Sequence, residues 1–353
     1  PIDLRTDNEG RFDTQVDKLN LAELEAMIKE QDVPIEPVDE AELGRVDLNR
    51  DGRIGRANRV VYDWAPLQGR VMSYVGAGRG AQRRGELHIA AGLYPEGTEF
   101  LHSVRYVDVD ARGENRLAPR MKELRYALKR FWVNYAKLES KAASEVKEKN
   151  DFPNRLRTVR GNSEVGVSNG QGWAYAGFIE DANGDLRPQS YEELVFCVGC
   201  HGGVGAVRDG TFAFPRKLDE QTPGSGWFHW SSRDYLRGIP ERIRSDGRPE
   251  YAYYLEANGA GDEFRNNNEV RARFFRPDGS LRQGQLNILR NDIAHLLYAS
   301  EERAMTLNKA YRAIVQDQDF VHGRDATVTP VPRVHSDLEP DQATGIEEHL
   351  LGY

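Results

Sequence analysis

The residues best suited to chemistry are Cys197-Val198-Gly199-Cys200-His201, which hold the only two cysteines of the 353-residue chain. The thiols lie three residues apart and a histidine follows the second directly, which is the attachment pattern of a c-type haem. In one helical turn both thiols project to one side, where each can add to a porphyrin vinyl group. The imidazole of His201 then lies beneath the iron as its proximal ligand. A dithiol redox pair would need a βαβ context that is not visible around residues 185–215. Zinc would need four ligands, and no second cysteine pair exists. The bland alternative is an inert pair of cysteines followed by a chance histidine.

The far side of such an iron would set its chemistry. Met121 offers a thioether and a six-coordinate site of raised potential, although methionine at apolar spacing also serves as core filler. His102 and His229 are the imidazole candidates, and an open face lined by Phe, Tyr or Leu is the remaining option. Beyond the motif, Phe212 and Phe214 can pack on a porphyrin edge, and Arg216 or Lys217 can pair with a propionate. The plain reading of 211–217 is a surface strand.

A second pattern is Asp47-Leu48-Asn49-Arg50-Asp51-Gly52-Arg53-Ile54-Gly55-Arg56-Ala57-Asn58. It places oxygen side chains at positions 1, 3 and 5, glycine at 6, Arg53 at 7 and an apolar residue at 8, as an EF-hand-type calcium loop does. Asn58 stands at position 12, where a bidentate glutamate is expected, so one strong carboxylate is lost. A structural calcium ion held by Asp47, Asn49, Asp51, Arg53 and Asn58 competes with a metal-free turn rich in Asp, Asn and Gly.

These groups need elements to position them. Residues 1–18 are polar and aperiodic, which predicts an extended arm, and Leu21 to Ile28 has helical spacing. Gly76-Ala77-Gly78-Arg79-Gly80 lacks the Lys-Ser/Thr of a phosphate loop and reads as a linker. Glu99 to Val107 reads as a strand, and Gly172 to Ile179 pairs with Leu186-Arg187-Pro188 across an Asn-Gly turn. Arg120 to Arg130 fits strand or helix, and Tyr135 to Lys149 fits a helix. Further helices are expected at Ser231–Leu236, Pro249–Asn258, Gln285–Ala299 and, capped by Ser300, Glu301–Gln316. Prolines at 330, 332 and 340 forbid long helices in the tail, which should wrap over another surface. The expected division is 1–80, with the calcium-type loop, then 81–220 around the haem motif, then 221–353.

The order of the Pro95-Glu96-Gly97-Thr98 turn, a strand, a lysine-bearing segment, Gly172-Trp173-Ala174-Tyr175 and its hairpin, then the Cys-x-x-Cys-His motif, resembles the cytochrome P-460 and cytochrome c′-beta family over residues 90–205. The resemblance implies an α+β fold with a β-sheet-rich haem domain, favours Arg120–Arg130 as a strand, and makes Lys122 or Lys129 a candidate for a cross-link to the porphyrin. The expected function is one-electron transfer by an exported mono-haem c-type cytochrome. The alternatives are a haem enzyme or gas-binding protein acting on hydroxylamine, nitric oxide or peroxide, and a haem subunit of a larger redox or surface assembly.

A net charge of −8 with both signs abundant argues against nucleic acid. A redox protein or larger assembly is the expected partner. No apolar run approaches the roughly 18–20 residues that span a bilayer, so the chain is not expected to be transmembrane. Haem attachment outside the cytoplasm predicts export to the periplasm or cell surface, with the signal segment absent from this chain. No Ser-His-Asp set or HExxH motif appears.

Overall fold

Asp13 opens the first helix, α1 (Thr14–Lys29), by accepting hydrogen bonds from the Gln15 and Val16 amides at 2.8 and 3.0 Å. That cap satisfies two of the amides a helix start leaves open, so the helix begins seven residues before the apolar run at Leu21. The arm expected over residues 1–18 is instead a short 3-10 turn (Ile2–Arg5) followed by this helix start. The computed structural model describes residues 1–152, 159–202, 217–218, 226–227, 238–244, 246–261, 265–320 and 328–330.

The chain forms two compact units. The first is built mainly from Pro1–Glu99 with Leu128–Asn134, and the second from Phe100–Ala127 and most of the chain after Tyr135. In the first unit α1 packs on a hairpin of β1 (Val33–Asp39) and β2 (Arg56–Val60). Its core gathers Val16, Leu19, Met27, Val33, Leu48, Val60 and Met72.

The glycine-rich stretch is no linker. It forms α2 (Gly76–Arg84), and its glycines are contact points. A Cβ on Gly76 would lie 2.5 Å from the Thr6 carbonyl oxygen, and one on Gly78 would lie 2.9 Å from Leu4. The Ala77 amide donates to that same Thr6 oxygen at 3.0 Å. Glycine is used here for close approach of backbones.

The second unit centres on a six-stranded sheet in the order β3 (Glu99–Val109), β4 (Asn115–Lys129), β7 (Trp173–Glu180), β6 (Gly166–Ser168), β5 (Arg160–Asn162), with β8 (Leu186–Pro188) also paired to β7. The β7–β8 hairpin is antiparallel, Glu180 facing Leu186 and Phe178 facing Pro188. It turns through Asp181–Asp185 as the Asn-Gly signal predicts. β4 resolves the ambiguous 120–130 stretch as strand. Helix α3 (Tyr135–Asp151) follows it, and α4 (Tyr191–His201) packs on β6 and β7.

One short pair, β9 (Lys217–Leu218) with β10 (Gly226–Trp227), precedes a helical C-terminal part: α5 (Glu250–Asn258), α6 (Asn268–Phe274), α7 (Gln283–Asn291), α8 (Ala294–Leu297) and α9 (Glu301–Asp317). The single helix expected over 285–299 is split. Asp292 adopts extended backbone, and its carboxylate accepts from the Ala294 amide at 3.0 Å, so it restarts the chain as a cap. Ser300 caps α9 as expected. In the tail, β12 (Val328–Pro330) pairs antiparallel with β11 (Arg265–Asn267). The helix expected at 231–236 lies outside the described residues. The class is α+β, with a sheet-rich body and helices toward the C-terminus.

Candidate functional site

Helix α4 is fixed at both ends. At its start Ser190 and Glu193 form a capping box, and Arg187 grips the Glu193 carboxylate with two bonds of 2.9 and 2.8 Å. That hydrogen-bonded carboxylate holds the Arg187 guanidinium above its ordinary pKa. Leu194, Val195, Phe196 and Val198 are buried, which orients the helix on the sheet.

At its end, two buried carboxamides from the β6–β7 turn take carbonyls that a helix terminus leaves without partners. Asn169 Nδ2 donates to the His201 carbonyl at 3.0 Å, and Gln171 Nε2 donates to that of Gly202 at 2.6 Å. The Asn169 side-chain Oδ1 in turn accepts from the Gln171 backbone amide at 2.8 Å, so the turn holds its own shape.

Cys197 lies three residues before Cys200 and four before His201 near the end of α4, the two spacings that span one helical turn. Cys197 is a half-buried free thiol. The half-buried imidazole of His201 lies against the Tyr175 ring, with centroids 4.7 Å apart and planes tilted by 33°. Tyr175 Oη accepts from Asn169 Nδ2 at 3.3 Å, which links ring packing to the helix-end cap.

The remaining candidates scatter. Met121 is half-buried on β4 and His102 is exposed on β3. Phe212, Phe214, Arg216 and His229 lie outside the described residues. Lys122 sends its ammonium to Tyr311 Oη at 2.8 Å, and Lys129 is fully buried at the end of β4. Sequence reasoning passed over the buried partners: Asn169, Gln171, and the fully buried Glu123, which accepts from Arg125 Nε at 2.6 Å. The Ser-x-x-Glu of the capping box at 190–193 was the one available signal.

The calcium-type residues sit in the loop of the β1–β2 hairpin, flanked by strands where an EF-hand has helices. Their oxygens bond the loop's own amides: Asp47 accepts from Gly52 at 2.9 Å, Asn49 from Asp51 at 3.1 Å and Asp51 from Arg53 at 2.8 Å. Asn58 is exposed on β2. Glu40, fully buried beneath the loop, accepts from Leu48 at 2.7 Å and Gly55 at 2.9 Å. Among the described residues no group of three or more His, Cys, Asp or Glu is arranged to hold a metal ion.

A family model described as “-like lipoprotein” matches residues 1–293. The chain belongs to this lipoprotein family. A protein of Aquifex aeolicus (strain VF5) carrying the name “Uncharacterized lipoprotein” is 30% identical over 282 residues, covering 68% of this chain and 46% of the relative. The chain therefore spans less than half the length of that relative. No solved structure matches.

These matches correct the expected kinship with c-type cytochromes and with the P-460 and c′-beta family, because the lipoprotein match runs through the whole of residues 90–205. The expected roles fall with it: one-electron transfer, hydroxylamine, nitric oxide or peroxide chemistry, and a haem subunit of a redox assembly. The physical reason is that a four-residue turn, a strand and an Asn-Gly hairpin are solutions many sheets share. Among the described residues no helix is long and apolar enough to cross a membrane.

Proposed function

We propose that this chain is the folded body of an exported protein anchored to a bacterial membrane surface by lipid, with the lipid carried on a preceding segment. The observation that carries the reading is membership of the lipoprotein family over residues 1–293. It fits a chain in which both cysteines belong to the second half of one helix packed on the sheet, where neither is placed to serve as a terminal anchor. In this reading α4 is an attachment helix: Cys197 and Cys200 would carry haem c by thioether bonds, with His201 facing the iron. The Asn169 and Gln171 caps fix the helix end, and Tyr175 limits how the His201 ring can turn. A bound haem would supply a redox-active iron.

Growth of the source bacterium with a labelled fatty acid tests the anchor. Label should enter the full-length protein and stay after substitution of both Cys197 and Cys200 by Ser; an unlabelled protein overturns the reading. The attachment is tested separately by intact mass and by colour retained after denaturation, both lost in Cys197→Ser/Cys200→Ser.

A further inference from the structure

One surface feature of the first unit is left unused by the site and its attachment. Between Tyr62 and Val71 the chain leaves the core and returns, and residues 66–71 are all exposed. Ala65 and Arg70 close this finger by bonding each other's backbones at 2.9 and 3.2 Å. Pro66 starts a single 3-10 turn at its tip, and Gly69, at a φ of 73°, ends it in the left-handed region that favours glycine. Arg70 braces the finger from within by bonding Asp63 at 2.6 Å and Gln68 at 3.0 Å.

Leu67 stands at the tip with 103% of its reference surface in water, and Val71 at the base is 45% exposed. A lone exposed leucine needs no explanation. A leucine presented at full exposure on a tip closed by paired backbone bonds is different, because the backbone that carries it is already ordered before any partner arrives. Along the sequence its flanks are basic. From residue 53 to residue 84 every charged residue except Asp63 is an arginine. Arg50, in the neighbouring loop, donates to the Val71 carbonyl at 2.6 Å, which brings a further guanidinium to the base of the finger.

An apolar tip within an arginine-rich stretch matches a lipid surface, with acyl chains for the leucine and anionic headgroups for the guanidiniums. We infer that the Pro66–Val71 finger dips into the anionic membrane surface to which the protein is tethered, using Leu67 as its wedge. The inference rests on the membrane-anchored reading. The tether supplies proximity, and the finger sets which face of the first unit meets the bilayer.

Co-sedimentation of the 353-residue chain, without lipid, tests it on vesicles of phosphatidylethanolamine and phosphatidylglycerol, against vesicles of phosphatidylcholine alone. The chain should pellet with the anionic vesicles and release at high salt. Leu67→Ser should weaken that binding about tenfold, the scale of one leucine returned to water, while Leu21→Ser, exposed on α1, should leave it unchanged. Equal binding by wild type and Leu67→Ser overturns the proposal, as does absence of binding to anionic vesicles. A Leu67→Ser variant that instead changes the oligomeric mass assigns the finger to a second copy and also overturns it. Because the chain carries no lipid here, failure of the finger and failure of the fatty-acid labelling are separate results.

Discussion

Two buried glutamates, Glu23 in the first unit and Glu180 in the second, are accommodated in opposite ways. In the first, Glu23 on α1 is 1% exposed, and its Oε2 has no hydrogen-bond partner among the described residues. Burial pushes its carboxyl up to about 8, with Arg50 pulling the other way. In the second, three buried carboxylates of the sheet and of α4 are held by arginines. Glu180, also 1% exposed, accepts from Tyr106 at 2.6 Å and from both Nε and Nη2 of Arg120. Glu123 pairs with Arg125, and Glu193 with Arg187. An isolated acid in a low-dielectric core avoids the cost of a buried charge by keeping its proton, whereas a paired one keeps its charge and gains direction. The first solution makes stability depend on pH, and the second ties distant segments into register.

The largest expected effect breaks the first half of that contrast. Glu23 has a folded pKa above its unfolded value, so the folded state holds the extra proton between about 4.5 and 8. Stability of the first unit is therefore full below about 4.5, falls as pH rises through this window and is flat above it, by an amount on the order of 5 kcal/mol. The groups that bear on Glu23 are Arg50 from the 40–55 loop and Tyr74 from the segment after the finger. Urea unfolding followed by a signal from the first unit should show the slope in wild type and lose it in Glu23→Gln. A slope that persists in the variant would assign the pH dependence elsewhere.

Glu180 sharpens the second half. Its loss leaves the Tyr106 hydroxyl buried without its acceptor, while Arg120, with a side chain 39% exposed, can turn to water. Glu180→Leu should cost about 2–3 kcal/mol in urea unfolding, with most of the cost arising at the phenol. Burial and the Glu180 bond both hold that phenol above its ordinary pKa. Tyr106→Phe in the Glu180→Leu background should therefore recover part of the loss. No recovery would mean that the phenol does not carry the cost.

Which of these solutions could be read in the sequence follows from distance along the chain. The Ser300 cap, the Asn-Gly hairpin and the helix after Tyr135 are local signals and were legible. Glu180 and Arg120 are 60 residues apart, and Lys122 and Tyr311 are 189 apart, so no window on the sequence joins them. Gly76 and Gly78 misled for a related reason: glycine marks a flexible linker and a close contact alike, and only the position of Thr6 and Leu4 decides between them. At the candidate site, the Cys-x-x-Cys-His spacing was visible in five residues. The carboxamides that hold it were hidden in a turn that reads as ordinary Asn-Gly-Gln-Gly loop chemistry.

Those carboxamides offer the smallest and most local test of the contrast, because they are neutral groups doing in the second unit what the ion pairs do. Asn169 is 2% exposed and its side chain donates to the His201 carbonyl while accepting from the Gln171 and Trp173 amides at 2.8 and 3.3 Å. Asn169→Ala removes these three bonds and the one to Tyr175 Oη in a buried place, and the orphaned amides set a cost of about 1–2 kcal/mol. Asn169→Asp keeps both acceptor bonds but can donate to neither the His201 carbonyl nor Tyr175 Oη, so it separates the bonds toward the helix end from those within the turn. If the turn and the helix end act as one piece, amide hydrogen exchange at the last turn of α4 should quicken in both variants. If exchange there quickens in Asn169→Ala alone, the turn's own amides matter and the bond to His201 does not. Either variant should leave exchange in α1 unchanged, since the first unit has no share in these bonds.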